Sequence, residues 1–464
     1  MHYMKNNWIL WAGLGTFLLM LVWAFTLYQE RIIIFDPAFH LFSIVRKGEF
    51  AIQVHRFGAF FTQLFPLVAV KLGLPLKAIM ISYSISFIVL DALLFGLLLR
   101  PLRQPYWALA LLLNSVLMVN ETFYWIQSEL KQGLSMLIFY LGFIHSNKVK
   151  SDSVWYLPIH AGMLSLLAFT HPLLVFPFMF GFGLLIRTTA PENRKALFSL
   201  GGTFLLFYLI KSQLFRNWYD DAQMQHLGNL VTYFPNYFSV PTNALFFQYL
   251  LSDYYALIPL FSGLVYLLVS QKKYTELAWY LLFCTGYLLL VNTTYPDPTL
   301  LRKFYSEQFY LPLGTMTLIA LVLHLHFDAV SRWLPVAIAL IIVVRLQHIY
   351  ALHYRFTEKI AWQRQFMRTQ AGDKIIYPEK AVPEAQKLIY TWGSAEEFWL
   401  LSTLDYGETK SIVITDDPEA LRKHKDQPRL FITKHKVFDY DDLPSRYFHF
   451  KDTTSPYTIY SPPQ

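Results

Sequence analysis

A single cysteine, Cys284, in 464 residues excludes a disulfide framework and a thiolate zinc site built within one chain. Charge is also scarce, at 15% of side chains, against about 25% in soluble domains. There is no glycine-rich phosphate loop, no Cys/His metal spacing, no GxSxG elbow and no obvious internal repeat. What is abundant is apolar: 55% of residues are hydrophobic and 18% aromatic. With a mean hydropathy of +0.35, this composition excludes disorder, collagen and coiled coil and points to a polytopic membrane protein.

The net charge of +8 would suit nucleic acid if it were gathered on one domain, but it is not. After residue 352 there are 16 Lys+Arg and 16 Asp+Glu, and before it 23 and 15. The excess therefore lies between hydrophobic segments, where loop Lys/Arg set membrane orientation. The sequence divides into a transmembrane part, 1–352, and a soluble α/β part, 353–464.

A membrane-crossing helix needs about 20 apolar residues. Residues 8–28 qualify, and their length and aromatic content suit an uncleaved first span better than a signal peptide. Further expected spans are 77–99, 105–119, 130–146, 154–170, 172–187, 197–213, 252–270, 277–293, 309–327 and 333–352, eleven in all. Residues 57–73, broken by Pro66, are expected to lie in the membrane interface. With a cytoplasmic N-terminus, about eleven Lys/Arg then fall in roughly forty residues of inner loop, and about ten in nearly three times that length outside. The long loops 29–76, 214–251 and 294–308 and the tail lie on the outer face, where function should concentrate. Residues 154–187 break at Thr170-His171-Pro172, placing a His at an outer tip made of short helices.

In the tail, 374–378, 411–415, 429–434 and 446–450 read as strands and 384–404 as a helix. Asp416-Asp417-Pro418 reads as an N-cap opening another helix.

The first outer loop, IIIFDPAFHLFSIVRKGEF, carries the most chemistry. Asp36 follows the first span by eight residues, so a partly desolvated carboxyl there can act as a general base. The simpler reading is an N-cap with Pro37 at the first helical position, and both can hold. His40 is one helical turn on and shares its face. The apolar pattern of 38–50 suits a helix lying in the membrane plane. Arg46, Lys47, His55 and Arg56 lie in the same loop, and Arg302, Lys303 and Glu307 in the last outer one. Cations beside an acid suit a lipid-linked phosphate donor; taken singly, each cation also suits headgroup contact. Glu121 and Glu129, near Lys131 and Gln132, read as helix-end caps, with Glu129 within reach of a cavity. Asp91 and Arg345 interrupt apolar runs and are functional or structurally paired. Asp220 and Asp221 read as surface acids or as metal or acceptor contacts.

Read together, these features resemble the GT-C superfamily of membrane glycosyltransferases, of the protein mannosyltransferase and aminoarabinose transferase type. The resemblance rests on FDPAFHLFSIVRKGEF after the first span, HRFGAFFTQLFPLVAVKLGLPLKA, GMLSLLAFTHPLLVFPFMFGFGLL, and RKFYSEQFYLPLG entering the penultimate span. It implies an all-α transmembrane fold with a C-terminal periplasmic domain in a bacterial inner membrane. It also implies inverting transfer from a polyprenyl-phosphate-linked sugar to a lipid, glycan or protein acceptor, without nucleic acid. Asp36 would activate the acceptor or hold a divalent metal, Mg or Mn, and Arg302 or Lys303 would meet the donor phosphate. His40, His55, Arg56, His171 and Glu307 would complete the substrate site. Many members carry a second acid beside the first; Pro37 and Ala38 stand there here. Two alternatives remain. One is an O-antigen ligase or polymerase using a pyrophosphate-linked donor, although 214–251 offers only Arg216 and His226. The other is a non-catalytic subunit of a membrane complex with the tail as docking domain. A transporter would need two related halves, which the sequence lacks.

Overall fold

A computed structural model describes residues 7–126, 129–148, 153–298, 303–325, 333–370, 372–388 and 391–460, with side chains 303–305 left aside. The chain is 72% helical with a few short strands. Among the described residues, six helices are long and apolar enough to cross a membrane: Asn7–Thr26, Leu76–Leu99, Pro191–Leu214, Tyr274–Thr294, Ser306–His324 and Leu334–Thr369. A seventh is gained if Pro241–Ser252 and Leu257–Ser270, bent by 97°, count as one broken span. Their outer faces are apolar: Trp11 is 69% and Leu18 65% exposed on the first helix, a surface that water does not favour at this extent.

Among the described residues, eleven full-length spans are not shown. Helices occupy the remaining apolar runs, but they are short: Pro105–Asn114, Glu129–His145, Tyr156–Ala168 and Val175–Thr188. At 1.5 Å per residue, a ten-residue helix covers about 15 Å of a hydrocarbon core about 30 Å thick. Hydropathy marks an apolar run without saying where its helix stops. The run at 105–119 turns at Ser115, whose hydroxyl donates to Asp91 Oδ2 (3.0 Å) and to the Leu111 carbonyl (3.0 Å).

The division at residue 352 is also softer than composition suggests. Helix His353–Thr369 continues Leu334–Ala351 with a one-residue break. Beyond it, β1 (Lys374–Pro378), β2 (Ser411–Thr415) and β5 (Thr458–Ile459) form a parallel sheet of order β2-β1-β5. β3 (Leu430–Ile432) and β4 (Val437–Asp439) form an antiparallel pair. β2 is buried throughout, as expected of a parallel strand covered on both faces. The segment 446–450 is not a strand. Its aromatic side chains instead fill the core, with Phe448 stacked on Trp399 at 4.5 Å. The expected helix 384–404 is split into Glu384–Lys387 and Ser394–Tyr406. The Asp417 cap is present, its Oδ1 accepting the Ala420 N–H at 3.1 Å.

Helix Asp36–Lys47 ends at Gly48, whose φ of 63° suits glycine and whose N–H closes on the Ile44 carbonyl (2.8 Å). Its apolar face is amphipathic as expected, but it does not face lipid. Phe42, 1% exposed, is ringed by Trp399, Phe431, Phe438 and Phe448 of the tail at 5.3–5.5 Å. Ala38, Leu41 and Val45 join the same core. The aromatic side chains of the tail cover this face. On the neighbouring connection, Tyr447 donates its hydroxyl to the Leu74 carbonyl (3.2 Å), and Arg446 donates to that of Gly73. The soluble part and the first outer loop thus share one core.

Phe42→Ala should cost about 3–5 kcal/mol, the range for emptying a buried aromatic site. Limited proteolysis should then release the tail well before it cuts wild-type protein; unchanged protection would show that the docking does not depend on this ring.

Candidate functional site

The helix that carries Asp36 begins in an unusual way. Phe35 has φ 51° and ψ −123°, a conformation that strains any residue but glycine. It is held from the tail. Phe35 N–H donates to Glu397 Oε1 (2.9 Å), Lys359 Nζ to the same oxygen (3.1 Å), and Gln363 Nε2 to Oε2 (2.6 Å). The Lys359 ammonium also lies 4.1 Å from the centre of the Phe35 ring. Gly393 makes room for this approach, since a Cβ there would lie 3.2 Å from the Phe35 Cα. The side chain of Asp36, next in the chain, therefore takes its position from residues more than 320 places away.

Asp36 lines a cavity of about 1080 Å³ at the seam between the helical part and the tail, at the upper end of the usual size for ligand sites. Its walls come from helix Asp36–Lys47, residues 50–54 and Arg56, Trp125, Glu129, helix Trp218–Gln225, and, from the tail, Trp392, Glu396, residues 433–436 and Phe438. Burial, and next the charge of Glu129, push the Asp36 carboxyl up to about 7, while hydrogen bonding by Trp125 and the charge of Arg56 hold it back.

His40 faces the same cavity. Its Nδ1 lies 3.0 Å from the Ala51 carbonyl, which can only accept, so Nδ1 carries the proton. Gln63 fixes that carbonyl by bridging Ala51, accepting its N–H at 2.8 Å and donating to its oxygen at 3.3 Å. Burial lowers the imidazole pKa, which leaves a neutral ring with Nε2 as acceptor. Arg56 is presented by a tight turn at Val54 and His55, with φ 44° and 59°, closed by Arg56 N–H to the Gln53 carbonyl (2.9 Å). Its guanidinium meets Glu129 (3.3 Å) and Asp220 (3.6 Å) and lies over Tyr219 at 5.2 Å.

The expected site residues thus part company. Asp36, His40, Arg56 and Glu129 converge on one cavity. His55 does not line it; its ring packs on Phe215 at 5.5 Å. His171 caps the short helix Pro172–Leu174, accepting the Leu173 N–H on Nδ1 (3.2 Å), and lies off the cavity. Glu307 is buried and spent on structure: it accepts the N–H groups of Asn120, Glu121 and Thr122 at 2.7–3.1 Å and the Tyr254 hydroxyl at 3.2 Å. Arg302 and the side chain of Lys303 lie outside the described residues. Asp91 pairs with Lys131. Arg345 does not snorkel; it is enclosed by the carbonyls of Val116, Val119 and Asp253 and the side chain of Asn120. Asp221 is paired with exposed Arg216 (2.9 Å). Glu121 pairs with Arg355.

Sequence reasoning missed Glu397, Gln63 and Glu396. Glu396 lines the cavity with Oε2 buried and without a hydrogen-bond partner among the described residues; burial first, and then neighbouring Glu397, push it up to about 8. A Glu-Glu pair in an expected helix carries no local sign that one member clamps a loop and the other faces a ligand space. Among the described residues no three His, Cys, Asp or Glu side chains are gathered to hold a metal. With Pro37 and Ala38 following Asp36, the donor set does not fit a divalent ion. Comparison with protein-family models, curated proteins and solved structures finds no match to this chain.

Two expectations follow. Because the Asp36 carboxyl is raised to about 7 from an ordinary value near 4, the folded state holds a proton that the unfolded state releases. The stabilisation is complete below about pH 4 and is lost as pH rises through 7, with a slope of up to about 1.4 kcal/mol per pH unit. In thermal unfolding across pH 5–8, the Tm should fall more steeply with pH in wild type than in Asp36→Asn, which keeps only the part contributed by Glu396. Separately, Glu397→Ala strands the buried Lys359 ammonium and should cost about 3–5 kcal/mol. A Lys359→Met, Glu397→Met double variant should recover part of that loss in a denaturation series; a double variant no better than the single would assign the cost to Phe35 alone.

Proposed function

We propose that the protein is an integral membrane glycosyltransferase that moves a sugar from a polyprenyl-phosphate carrier to an acceptor on the outer face. The observation that carries this reading is a carboxyl held near neutrality in a large cavity at the junction of the helical part and the tail. A base must match its working pH and reach a hydroxyl. Asp36 meets the first condition and lines the space in which the second would be met. Asp36 removes the acceptor proton, the acceptor oxygen attacks the anomeric carbon, and the carbon–oxygen bond to the lipid phosphate breaks with inversion. His40, neutral with an Nε2 lone pair, accepts a hydrogen bond from a substrate hydroxyl. Trp392, Trp125 and Tyr219 in the walls offer flat apolar faces to sugar rings. The resemblance assigns the donor phosphate to Arg302 and Lys303. In this reading eleven helical segments traverse or enter the bilayer of a bacterial inner membrane, with the N-terminus cytoplasmic and the tail periplasmic.

The non-catalytic alternative calls for a tail that docks on another protein and for no cavity at Asp36. The tail packs its aromatic core on its own first loop, and the cavity is present, so transfer is favoured. A pyrophosphate-linked donor differs only in its carrier.

Purified protein in nanodiscs should transfer labelled sugar from a polyprenyl monophosphate donor, and Asp36→Asn should lose about 10²–10⁴-fold in rate, the usual contribution of a general base. Undiminished turnover by Asp36→Asn would overturn the assignment. Turnover only from a diphosphate carrier would favour the ligase reading.

A further inference from the structure

Residues 391–397 of the tail make a turn and the start of helix Ser394–Tyr406. Ser394 N–H closes the turn on the Thr391 carbonyl at 3.0 Å. Three contacts place this stretch beside Asp36. A Cβ on Gly393 would lie 3.2 Å from the Phe35 Cα, Glu397 accepts the Phe35 N–H at 2.9 Å, and the Trp392 ring packs on Phe39 at 5.5 Å. The stretch carries four hydroxyl or carboxyl side chains, and two of them fix it in place. Ser394 Oγ accepts the Ile414 N–H of β2 at 2.8 Å, and Glu397 holds Phe35, Lys359 and Gln363. The other two, Thr391 and Glu396, line the cavity. Thr391 Oγ1 and Glu396 Oε2 are buried without a hydrogen-bond partner among the described residues. Glu396, 3% exposed, has no ion pair among them either. Trp392 lines the same cavity and is half-buried.

We propose that Thr391, Trp392 and Glu396 form a subsite that recognises the hydroxyls of a neutral sugar ring held beside Asp36, with Glu396 as its specificity-determining residue. Buried polar groups in folded proteins almost always have partners, and leaving one unmet is costly. Two unmet groups on one wall, in a stretch whose other hydroxyl and carboxyl are both bonded, mark a place for a ligand's own polar atoms. Burial and neighbouring Glu397 push Glu396 up to about 8, so near pH 7 it keeps its proton and both donates and accepts. The Thr391 hydroxyl does the same. Adjacent hydroxyls on a sugar offer the matching donors and acceptors, and the C–H face of the ring suits an indole. An anionic ring would find no Lys or Arg in this stretch. That the ligand is a sugar rests on the transferase reading; the unmet groups do not. Donor sugar and glycan acceptor share this chemistry, and the substrate whose KM rises in the variants below identifies the ring.

Full-length protein in nanodiscs is probed by saturation-transfer NMR with the methyl glycosides of glucose, mannose, galactose and arabinose. At least one should receive saturation from wild type. Its affinity should fall about tenfold or more in Glu396→Leu and in Thr391→Val, which remove the polar atoms at similar volume. Glu396→Gln keeps a donor and an acceptor and should bind within about threefold of wild type; a loss equal to that of Glu396→Leu overturns the role of a protonated acid. Each variant removes or replaces an unpartnered group, so its Tm should be no lower than that of wild type. Should Glu396→Leu fail to fold, Thr391→Val decides. No binding of any glycoside, or equal binding by the variants, overturns the proposal. In the transfer assay, turnover with both KM values unchanged in the variants would sink the subsite and leave the transferase reading. Glycoside binding that the variants lose, without turnover from any polyprenyl carrier, would sink that reading and leave the subsite.

Discussion

A buried carboxylate that reaches from one part of the chain to a strained backbone amide in another organises this molecule. Glu397 accepts from Phe35 N–H, Lys359 and Gln363 at once, so each oxygen is satisfied and its charge is matched. A buried ion pair seldom adds net stability over an apolar replacement, but breaking one is costly. The value of this pair lies in what it specifies. The Phe35 backbone conformation would relax in a free loop, and with it the direction of the helix that starts at Asp36. The tail is thus a structural partner of the first outer loop, and the cavity exists because the two are held together.

Strain recurs in and beside the lining of that cavity. Phe35, Val54 and His55 all have positive φ, and the last two form the turn that delivers Arg56. A β-branched residue such as Val54 is rarely found there. Such conformations persist when surrounding contacts over-determine them, as the Glu397 clamp and the Ala51–Gln63–His40 bonds do. These contacts hold the walls at named points. This suits a site whose acid must stay half-desolvated, because a loop free to swing into water would return Asp36 to the ordinary carboxylate range.

What could be read from sequence was whatever is local. Asp36 and His40 share a helix face through their spacing of four, and both reach the cavity. Glu129 was marked as an acid near the outer boundary, and it pairs with Arg56. Mid-run charges such as Asp91 could be named as structural or functional but not assigned, because the deciding partner, Lys131, is forty residues away. His171 and Glu307 looked equivalent to His40 in composition and exposure to outer loops. Backbone N–H groups at helix starts claimed both, and a sequence does not show which amides lack a partner. The amphipathic pattern of 38–50 was correct as a pattern, but its period does not say whether lipid or the tail's aromatics will cover the apolar face.

The same seam explains why acid and base sit at opposite ends of one helix. A helix favours acids at its N-terminus and cations at its C-terminus, so Asp36 at the start and Arg46-Lys47 at the end fit the local dipole regardless of ligand. That alone would be a stability device on an exposed helix. Here the helix is walled in by the tail, and both ends open on one continuous cavity. Burial raises the proton affinity of the acid end, while Lys47 at the other end stays exposed. The same local preference therefore has two outcomes: docking of the tail desolvates the acid end and holds a helix-start carboxyl near neutrality, and it leaves the basic end in contact with solvent.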